Sequence, residues 1–569
     1  MSNGAAPVPL VVPLAALRRE LAALPLPVEL PGSREARHER TSLLGQLDDY
    51  VIPRLGQLDA PLLVVVGGST GAGKSTLVNT LVGSEVSRSG VLRPTTRGPV
   101  LACAPADVPW FADDRVLPGL ARTTGVAGDA RSLRIAPAES IAPGLALLDA
   151  PDIDSVVAAN RELATSLLAA ADLWLFVTTA ARYADAVPWD LLHTAAERST
   201  ALAVVLNRIP PGATAEIAPD LAGMLARNGL AGTPLLTVPE TDLQSGMLPV
   251  DAVAPVRQWL DGLAADAEAR AAVVRGTLRG TLNSLSPRVM LVAEAADEQG
   301  AALDRLRGEV TAAYDQALDS VAQGVRAGSM LRGEVLARWQ EYVGTGQFMA
   351  SLESRIGAFR DRIWNAISGR KAPDVEVSDA VENSVEDLVV AASDAAAERL
   401  VRSWRGDPAG RSVLAATEQD LSRSSAELRH RLEGEIRGWQ EFVLGLVAEA
   451  GADKRTAARA ASLGVNGVGL AVMLGVFAHT GGLTGGEIAV AGGTSVAGQR
   501  LLEAVFGDEA VRRLAGQARV QLLDRVRAVL DDEAGRFTDL LDAAGQPDGA
   551  PLREAMAAVA AARRASGLD

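Results

Sequence analysis

Leu62-Leu63-Val64-Val65-Val66-Gly67-Gly68-Ser69-Thr70-Gly71-Ala72-Gly73-Lys74-Ser75-Thr76-Leu77-Val78-Asn79 decides the fold. Five consecutive apolar residues make a strand buried on both faces, which is the habit of parallel sheets. A glycine-rich turn follows, and Thr76-Leu77-Val78-Asn79-Thr80-Leu81 continues as a helix. Between strand and helix, Gly68 to Ser75 satisfies G-x-x-x-x-G-K-S, the spacing that builds a phosphate cradle. The glycines let successive backbone N–H groups turn inward. Lys74 brings a point charge, and the Ser75 hydroxyl is a hard oxygen ligand of the kind Mg²⁺ takes. The predicted phosphate-binding set is Gly68, Ser69, Thr70, Gly71, Ala72, Gly73, Lys74, Ser75 and Thr76.

Outward from this motif, short apolar runs alternate with helical segments from Pro61 to about Pro249. Leu145–Leu148, Leu173–Val177, Ala203–Leu206 and Leu235-Leu236 read as further buried parallel strands. That alternation predicts an α/β P-loop domain with a doubly wound, mostly parallel sheet. Beyond Pro255 the strand signals stop. Leu303, Leu306, Val310, Ala313, Ala317, Val321 and Val325 recur at helical spacing, as do Leu428, Leu432, Ile436, Trp439, Val443 and Leu446. Such stripes predict a long all-α stalk packed helix on helix. Arg338–Val343 also resembles Gly438–Val443, a short possible duplication. The expected division is an N-terminal helical segment on the stalk over 1–60 and the α/β domain over 61–250. The stalk follows over 251–456, a hydrophobic hairpin over 457–506 and returning helices over 507–569.

Three further motifs follow the cradle in order. Arg93-Pro94-Thr95-Thr96-Arg97 stands where a switch threonine completes a Mg²⁺ shell and meets the γ-phosphate. Thr95 and Thr96 are both candidates for catalysis, and Thr95 for the metal. Leu147-Leu148-Asp149-Ala150-Pro151-Asp152 ends a strand on Asp149, the second metal candidate beside Ser75. In the familiar D-x-x-G form a glycine stands where Asp152 is. Ile153 follows where some enzymes of this kind carry a water-orienting glutamine, so the attacking water needs another guide. Finally Val205-Leu206-Asn207-Arg208-Ile209-Pro210 takes the place of N-K-x-D. Asn207 and Arg208 are predicted to meet the base, whereas Pro210 removes the aspartate that selects guanine. Motif order and spacing still favour GTP.

The order P-loop, Pro-Thr-Thr, Asp-x-Pro and Asn-Arg, with a helical region after it, resembles the bacterial dynamin-like GTPases, and in particular the paired dynamin-like proteins of actinobacteria. The resemblance implies hydrolysis of GTP with Mg²⁺, action at the cytoplasmic membrane in remodelling or division, and self-association through the head or with a paralogous dynamin-like protein. Thr70 and Gly71 replace the Gln-Ser pair of dynamins proper, so their catalytic detail does not transfer.

Membrane contact has its own sequence signal. Ala460–Gly486 holds 27 residues without a formal charge and Ile488–Gln499 twelve more. Gly467, Ala471 and Gly475 repeat at four-residue spacing, as do Gly485, Ala489, Gly493 and Ala497, which lets helices pack closely. Lys454, Arg455 and Arg459 precede the segment and can meet anionic headgroups. The competing reading is a glycine-rich hairpin buried in the bundle.

Composition sets the frame. At 569 residues the chain exceeds one core, and a net charge of −15 argues against nucleic acid as partner. Single Cys103 excludes an internal disulfide and reads as a small buried hydrophobe. Pro7, Pro9 and Pro13 break the apolar Ala5–Leu17, and no basic residue precedes it, which reads against a signal peptide. Two rival functions remain: a regulatory or ribosome-associated GTPase without membrane insertion, and a nucleotide-binding helical scaffold with little hydrolysis.

Overall fold

Buried on both faces along its whole length, β1 (Leu62–Gly68) is the middle of an eight-stranded sheet. The computed structural model describes residues 10–87, 98–113, 116–117, 120–123, 132–152, 158–185, 189, 192–193, 201–326, 373–451, 474 and 502–566. Thr95, Thr96, Ile153, the Arg338–Val343 copy and most of 457–506 lie outside them. The other strands are β2 (Val100–Cys103), β3 (Ala121–Thr123), β4 (Ser132–Pro137), β5 (Leu145–Asp149), β6 (Leu173–Thr179), β7 (Ala201–Ile209) and β8 (Leu235–Pro239). Their order is β3-β4-β2-β5-β1-β6-β7-β8, and every pairing is parallel except β2 with β5.

The strands read from continuous apolar runs are all present. Those not read, β2, β3 and β4, are shorter or alternate: β4 buries Leu133 and Ile135 and turns its other residues outward. Alternation marks a strand nearer the edge, where one face meets less protein. Fully buried Cys103 packs in β2 as a small hydrophobe, and burial pushes its thiol up to about 12.

By contacts the described chain forms two compact units. The first comprises Met1–Leu26, Pro31–Glu298 and Pro547–Asp569. One sheet face presents Leu63, Val65, Leu148, Trp174, Phe176 and Val204 to two helices, Ala158–Ala169 and Thr214–Arg227. The opposite face presents Val64, Val66, Leu147, Leu175, Val177 and Val205. It is covered by helices α1 (Val11–Ala23), α2 (Ser33–Gln46) and α3 (Lys74–Val82), and by Leu278, Leu282, Leu285 and Val289 of a long helix, Ala267–Arg326. The last helix, Ala550–Ser566, joins the same layer through Leu552, Met556 and Val559. This differs from the division read from sequence, which drew the head at 61–250 and gave both chain ends to the stalk. The physical reason is area: α3 alone cannot cover a face this wide, and the terminal stripes supply the missing apolar cover.

At the base of the sheet a buried ion pair ties the N-terminal helices to the strands. Arg54 Nε lies 3.0 Å from Asp172 Oδ1, close as charges though not aligned as a hydrogen bond. Leu63 N–H donates to Asp172 Oδ2 at 2.8 Å, and Thr277 Oγ donates to the Asp172 carbonyl at 2.9 Å.

The second unit comprises Pro27–Leu30 and Gln299–Gln546. The helices Pro373–Gly406, Pro408–Ala415, Leu428–Gly451 and Asp508–Ala544 pack there with the later part of Ala267–Arg326. The two stripes read from sequence face this core, and all their members are buried or partly buried in it. Trp404 meets Phe537 edge-on, ring centroids 5.5 Å apart, in a contact of about 0.5–1.5 kcal/mol beyond burial. Fully buried Glu533 accepts from Ser425 N–H at 2.9 Å and from Arg536 Nη1 at 2.9 Å, which satisfies its charge. Among the described residues no helix is long and apolar enough to cross a membrane. Within the predicted hairpin, Leu474, Leu502 and Val505 are described, and all three are buried in this helical core.

Asp49, beside Tyr50, Arg54 and Asp172 at a cavity of about 30 Å³, yields a test of the first unit. Burial first, and then the charge of Asp48, pushes its carboxyl up to about 6. A carboxyl raised on folding favours the folded state when protonated. Its stabilising contribution is complete below the unfolded value of 3.8 and lost as pH rises through 6. Asp49→Asn should therefore stabilise this unit by about 1–3 kcal/mol at pH 7 and change nothing near pH 3.5. Urea unfolding at the two pH values reads the difference; an equal effect at both would refute the assignment.

Candidate functional site

The site gathers at the C-terminal edge of β1, β5, β6 and β7. There β1 ends at Gly68, the chain turns through Ser69–Gly73 and α3 begins at Lys74. Gly68 has φ +146, and a Cβ there would stand 2.1 Å from the Val177 carbonyl oxygen of β6. Gly73 has φ +90, and a Cβ there would stand 2.6 Å from Asn207 Nδ2. Both glycines are required by close approach as well as by backbone sign. The turn is held from outside by Asn207, whose Nδ2 donates to the Ala72 carbonyl at 2.8 Å.

Lys74 is 5% exposed, and its ammonium is fully engaged. Nζ donates to the carbonyls of Gly68 at 2.8 Å and Ser69 at 3.0 Å, and to Asp152 Oδ1 at 2.5 Å. Ser75 Oγ donates to Asp149 Oδ2 at 2.7 Å, and Ser87 Oγ donates to the same oxygen at 2.5 Å. Asp149 is fully buried at the end of β5. Burial drives its pKa up against the opposing effects of Ser87, Ser75 and Lys74.

The other oxygen, Asp149 Oδ1, is buried without a hydrogen-bond partner. An orphaned carboxylate oxygen beside a hydroxyl is a donor set that fits a hard cation such as Mg²⁺, which uses one or two carboxylates and completes its shell with phosphate and water. Among the described residues no group of three His, Cys, Asp or Glu side chains forms a protein-only metal cluster.

The structure thus brings together Gly68 through Thr76, Asp149 and Asn207. Thr95 and Thr96 are outside the described residues. Arg208 is adjacent but exposed. It sits at the register shift of β7 with φ +51, uncommon for a residue with a Cβ, and its N–H donates to Asn207 Oδ1 at 2.9 Å.

No protein-family model matches the chain, and no curated protein matches it. Two chains from solved structures are similar to it over most of their length. Both are described as an oligomerised bacterial dynamin pair that provides a mechanism for the long-range sensing and tethering of membranes. One has 12% identity over 98% of this chain and 95% of that chain, the other 11% over 95% and 96%, each with a TM-score of 0.38. At that TM-score the likeness carries neither fold nor activity across, and both rest on this chain's own residues.

Three side chains that contact the site escaped the sequence reading. Ser87 is anchored by Asn79, whose Oδ1 accepts from Ser87 N–H at 2.8 Å and whose Nδ2 donates to the Ser87 carbonyl at 2.7 Å. Asp152 was noted only as a missing glycine, not as the partner of Lys74. Arg182, three residues past β6, donates from Nη1 to the Thr70 carbonyl at 2.9 Å. No periodicity or motif spacing points to the Ser87–Asp149, Lys74–Asp152 or Arg182–Thr70 contacts, because each joins segments brought together by strand order.

The approach of β1 to β6 at Gly68 sets the whole turn. Gly68→Ala should destabilise the first unit by about 3 kcal/mol or more, through steric overlap and a disfavoured φ together. Hydrogen exchange of β1 and β6 should accelerate accordingly. Protection unchanged from the parent chain would disprove the close approach.

Proposed function

We propose that the chain is a Mg²⁺-dependent GTPase of the dynamin-like kind that acts at a membrane. The observation that carries the nucleotide reading is the convergence of Lys74 Nζ, the Ser75 hydroxyl and the orphaned Asp149 oxygen on one glycine-built turn. This is the arrangement needed to bind β- and γ-phosphates on a helix N-terminus. Ser75 and Asp149 would hold Mg²⁺, with Thr95 as the switch ligand, and the ion supplies positive charge to the phosphates when bound. Lys74 adds a second charge once Asp152 has left it. The base falls to Asn207 and Arg208. Asn207 already spans the loop and the strand, and the Arg208 stem is free to lie over a purine ring.

The reaction is attack of water on the γ-phosphorus, giving GDP and inorganic phosphate. Slow turnover in the isolated chain follows from Asp152 and Ile153, which provide neither a sensing glycine nor an orienting glutamine. Order imposed on the switch segments by a second head is the expected remedy. Membrane action rests on the uncharged stretches Ala460–Gly486 and Ile488–Gln499 and on their basic approach, Lys454, Arg455 and Arg459. One observation favours the second reading, a regulatory GTPase with an internal hairpin: Leu474, Leu502 and Val505 are all buried in the helical core.

Nucleotide titration tests the site. Lys74→Ala should lose GTP and GDP binding. Asp152→Asn should tighten binding by about five- to thirty-fold, since the competing carboxylate is worth on the order of 1–2 kcal/mol. Unchanged affinity in Lys74→Ala would sink the phosphate site, and GTP affinity equal to ATP would remove the guanine choice.

Flotation on anionic liposomes tests the membrane. The full chain should float, and deletion of 457–501, which spares Leu502 and Val505, should abolish flotation while GTP binding persists. A full chain that stays at the bottom of the gradient supports the internal hairpin instead.

A further inference from the structure

We propose that Arg182 is a catalytic arginine supplied by the head itself, its guanidinium meeting the γ-phosphate as the phosphoryl group departs. The proposal rests on the GTPase reading above. Its starting point is placement. Parallel pairing sets Gly68 of β1 against Val177 of β6, so the segment leaving β6 runs beside the glycine-rich turn. That segment is fixed by a series of backbone bonds: Ala180 N–H to the Asn207 carbonyl at 3.1 Å, Arg182 N–H to Thr179 at 3.0 Å and Asp185 N–H to Arg182 at 3.1 Å. From this frame the Arg182 side chain reaches the shoulder of the turn at the Thr70 carbonyl.

Two cations therefore meet the turn from different sides. Lys74 is buried inside it, and Arg182 approaches from outside with its side chain 40% exposed. Arg182 Nε also donates to Asp185 Oδ2 at 2.8 Å, and that carboxylate is 44% exposed. An ion pair this exposed is weak, so exchanging Asp185 for a triply charged phosphate tail is favourable. The need for such a charge is local. Asp152 adds negative charge at the turn, and no glutamine follows Asp149. Stabilising the negative charge that shifts onto the leaving group is what an arginine at this position can do.

In the step itself the water oxygen bonds to the γ-phosphorus while the bond to the β,γ-bridging oxygen breaks. The bridging oxygen keeps the electron pair and leaves on GDP, and the proton of the water ends on inorganic phosphate. Arg182 keeps its own proton throughout and acts only through charge and hydrogen bonding.

The rival account is that Arg182 merely props the turn through Thr70. Full-length parent chain, Arg182→Ala, Arg182→Lys and Asp185→Asn are compared for GDP affinity, single-turnover hydrolysis and trapping of GDP with aluminium fluoride and Mg²⁺. In Arg182→Ala we expect GDP affinity within about twofold of the parent, hydrolysis slower by about 100-fold or more, and trapping lost. Arg182→Lys should recover little, because the lysine point charge lacks the fork geometry. Asp185→Asn should hydrolyse at least as fast as the parent. Trapping and hydrolysis retained in Arg182→Ala would overturn the catalytic role and leave the GTPase reading intact. Equal losses of GDP affinity and hydrolysis would establish the prop instead. A parent chain that neither traps nor hydrolyses would overturn the GTPase reading itself.

Discussion

An ammonium group buried to 5% exposure must be surrounded by acceptors, and the Lys74 charge organises the site on that account. Removing an unpaired charge from water costs several kcal/mol, which the fold offsets here with three oxygens at 2.5–3.0 Å. Two of them are carbonyls of the turn itself, so the turn must curl around its own lysine. That curl is available only because Gly68 and Gly73 adopt positive φ and let Val177 and Asn207 approach to within a Cβ radius. Strand order then does the rest. With β5 on one side of β1 and β6 on the other, Asp149 and Arg182 arrive at opposite flanks of the same turn.

Asp152 gains a physical role from this constraint. By motif it is a departure, a charged residue where a glycine would donate its N–H to phosphate. In the folded chain it is the third acceptor of Lys74 and stands as a carboxylate in place of a phosphate oxygen. The same residue that keeps the lysine satisfied thus opposes the ligand the lysine would serve. Asp149 shows the complementary situation. Its carboxylate is held on one oxygen by two hydroxyls and left unsatisfied on the other, and burial lifts its pKa accordingly. One carboxylate waits for positive charge and the other already has it.

The two units bury their polar groups by the same logic but for different ends. In the first, Arg54 and Asp172 pair beneath the sheet and fasten the N-terminal helices to β1 through the Leu63 N–H. In the second, Glu533 receives Ser425 and Arg536 in the middle of a helical core rich in Leu, Val and aromatic rings. The Arg54–Asp172 cluster meets β1 at its start, away from the glycine-rich turn at its end, and breaking one partner in either cluster leaves a buried charge uncompensated.

Local pattern was sufficient for the fold class. Continuous apolar runs marked β1, β5, β6, β7 and β8, heptad-like stripes marked the long helices, and G-x-x-x-x-G-K-S marked the turn with its lysine and serine. These are contiguous signals, carried by neighbours in the chain, and they reach Asp149 and Asn207 because each ends a legible strand. Strands β3 and β4 were not legible, since partial burial breaks the apolar run, and β2 was not because its buried run is only four residues long. The cover of one sheet face by helices from both chain ends was equally hidden, because an amphipathic stripe states that a face is buried but not against what. The Lys74–Asp152 pair, the Ser87 contact to Asp149 and the reach of Arg182 to Thr70 join residues 62 to 112 positions apart. Only tertiary structure decided them, because a charge selects the nearest partner in space, and strand order rather than sequence distance determines which partner that is.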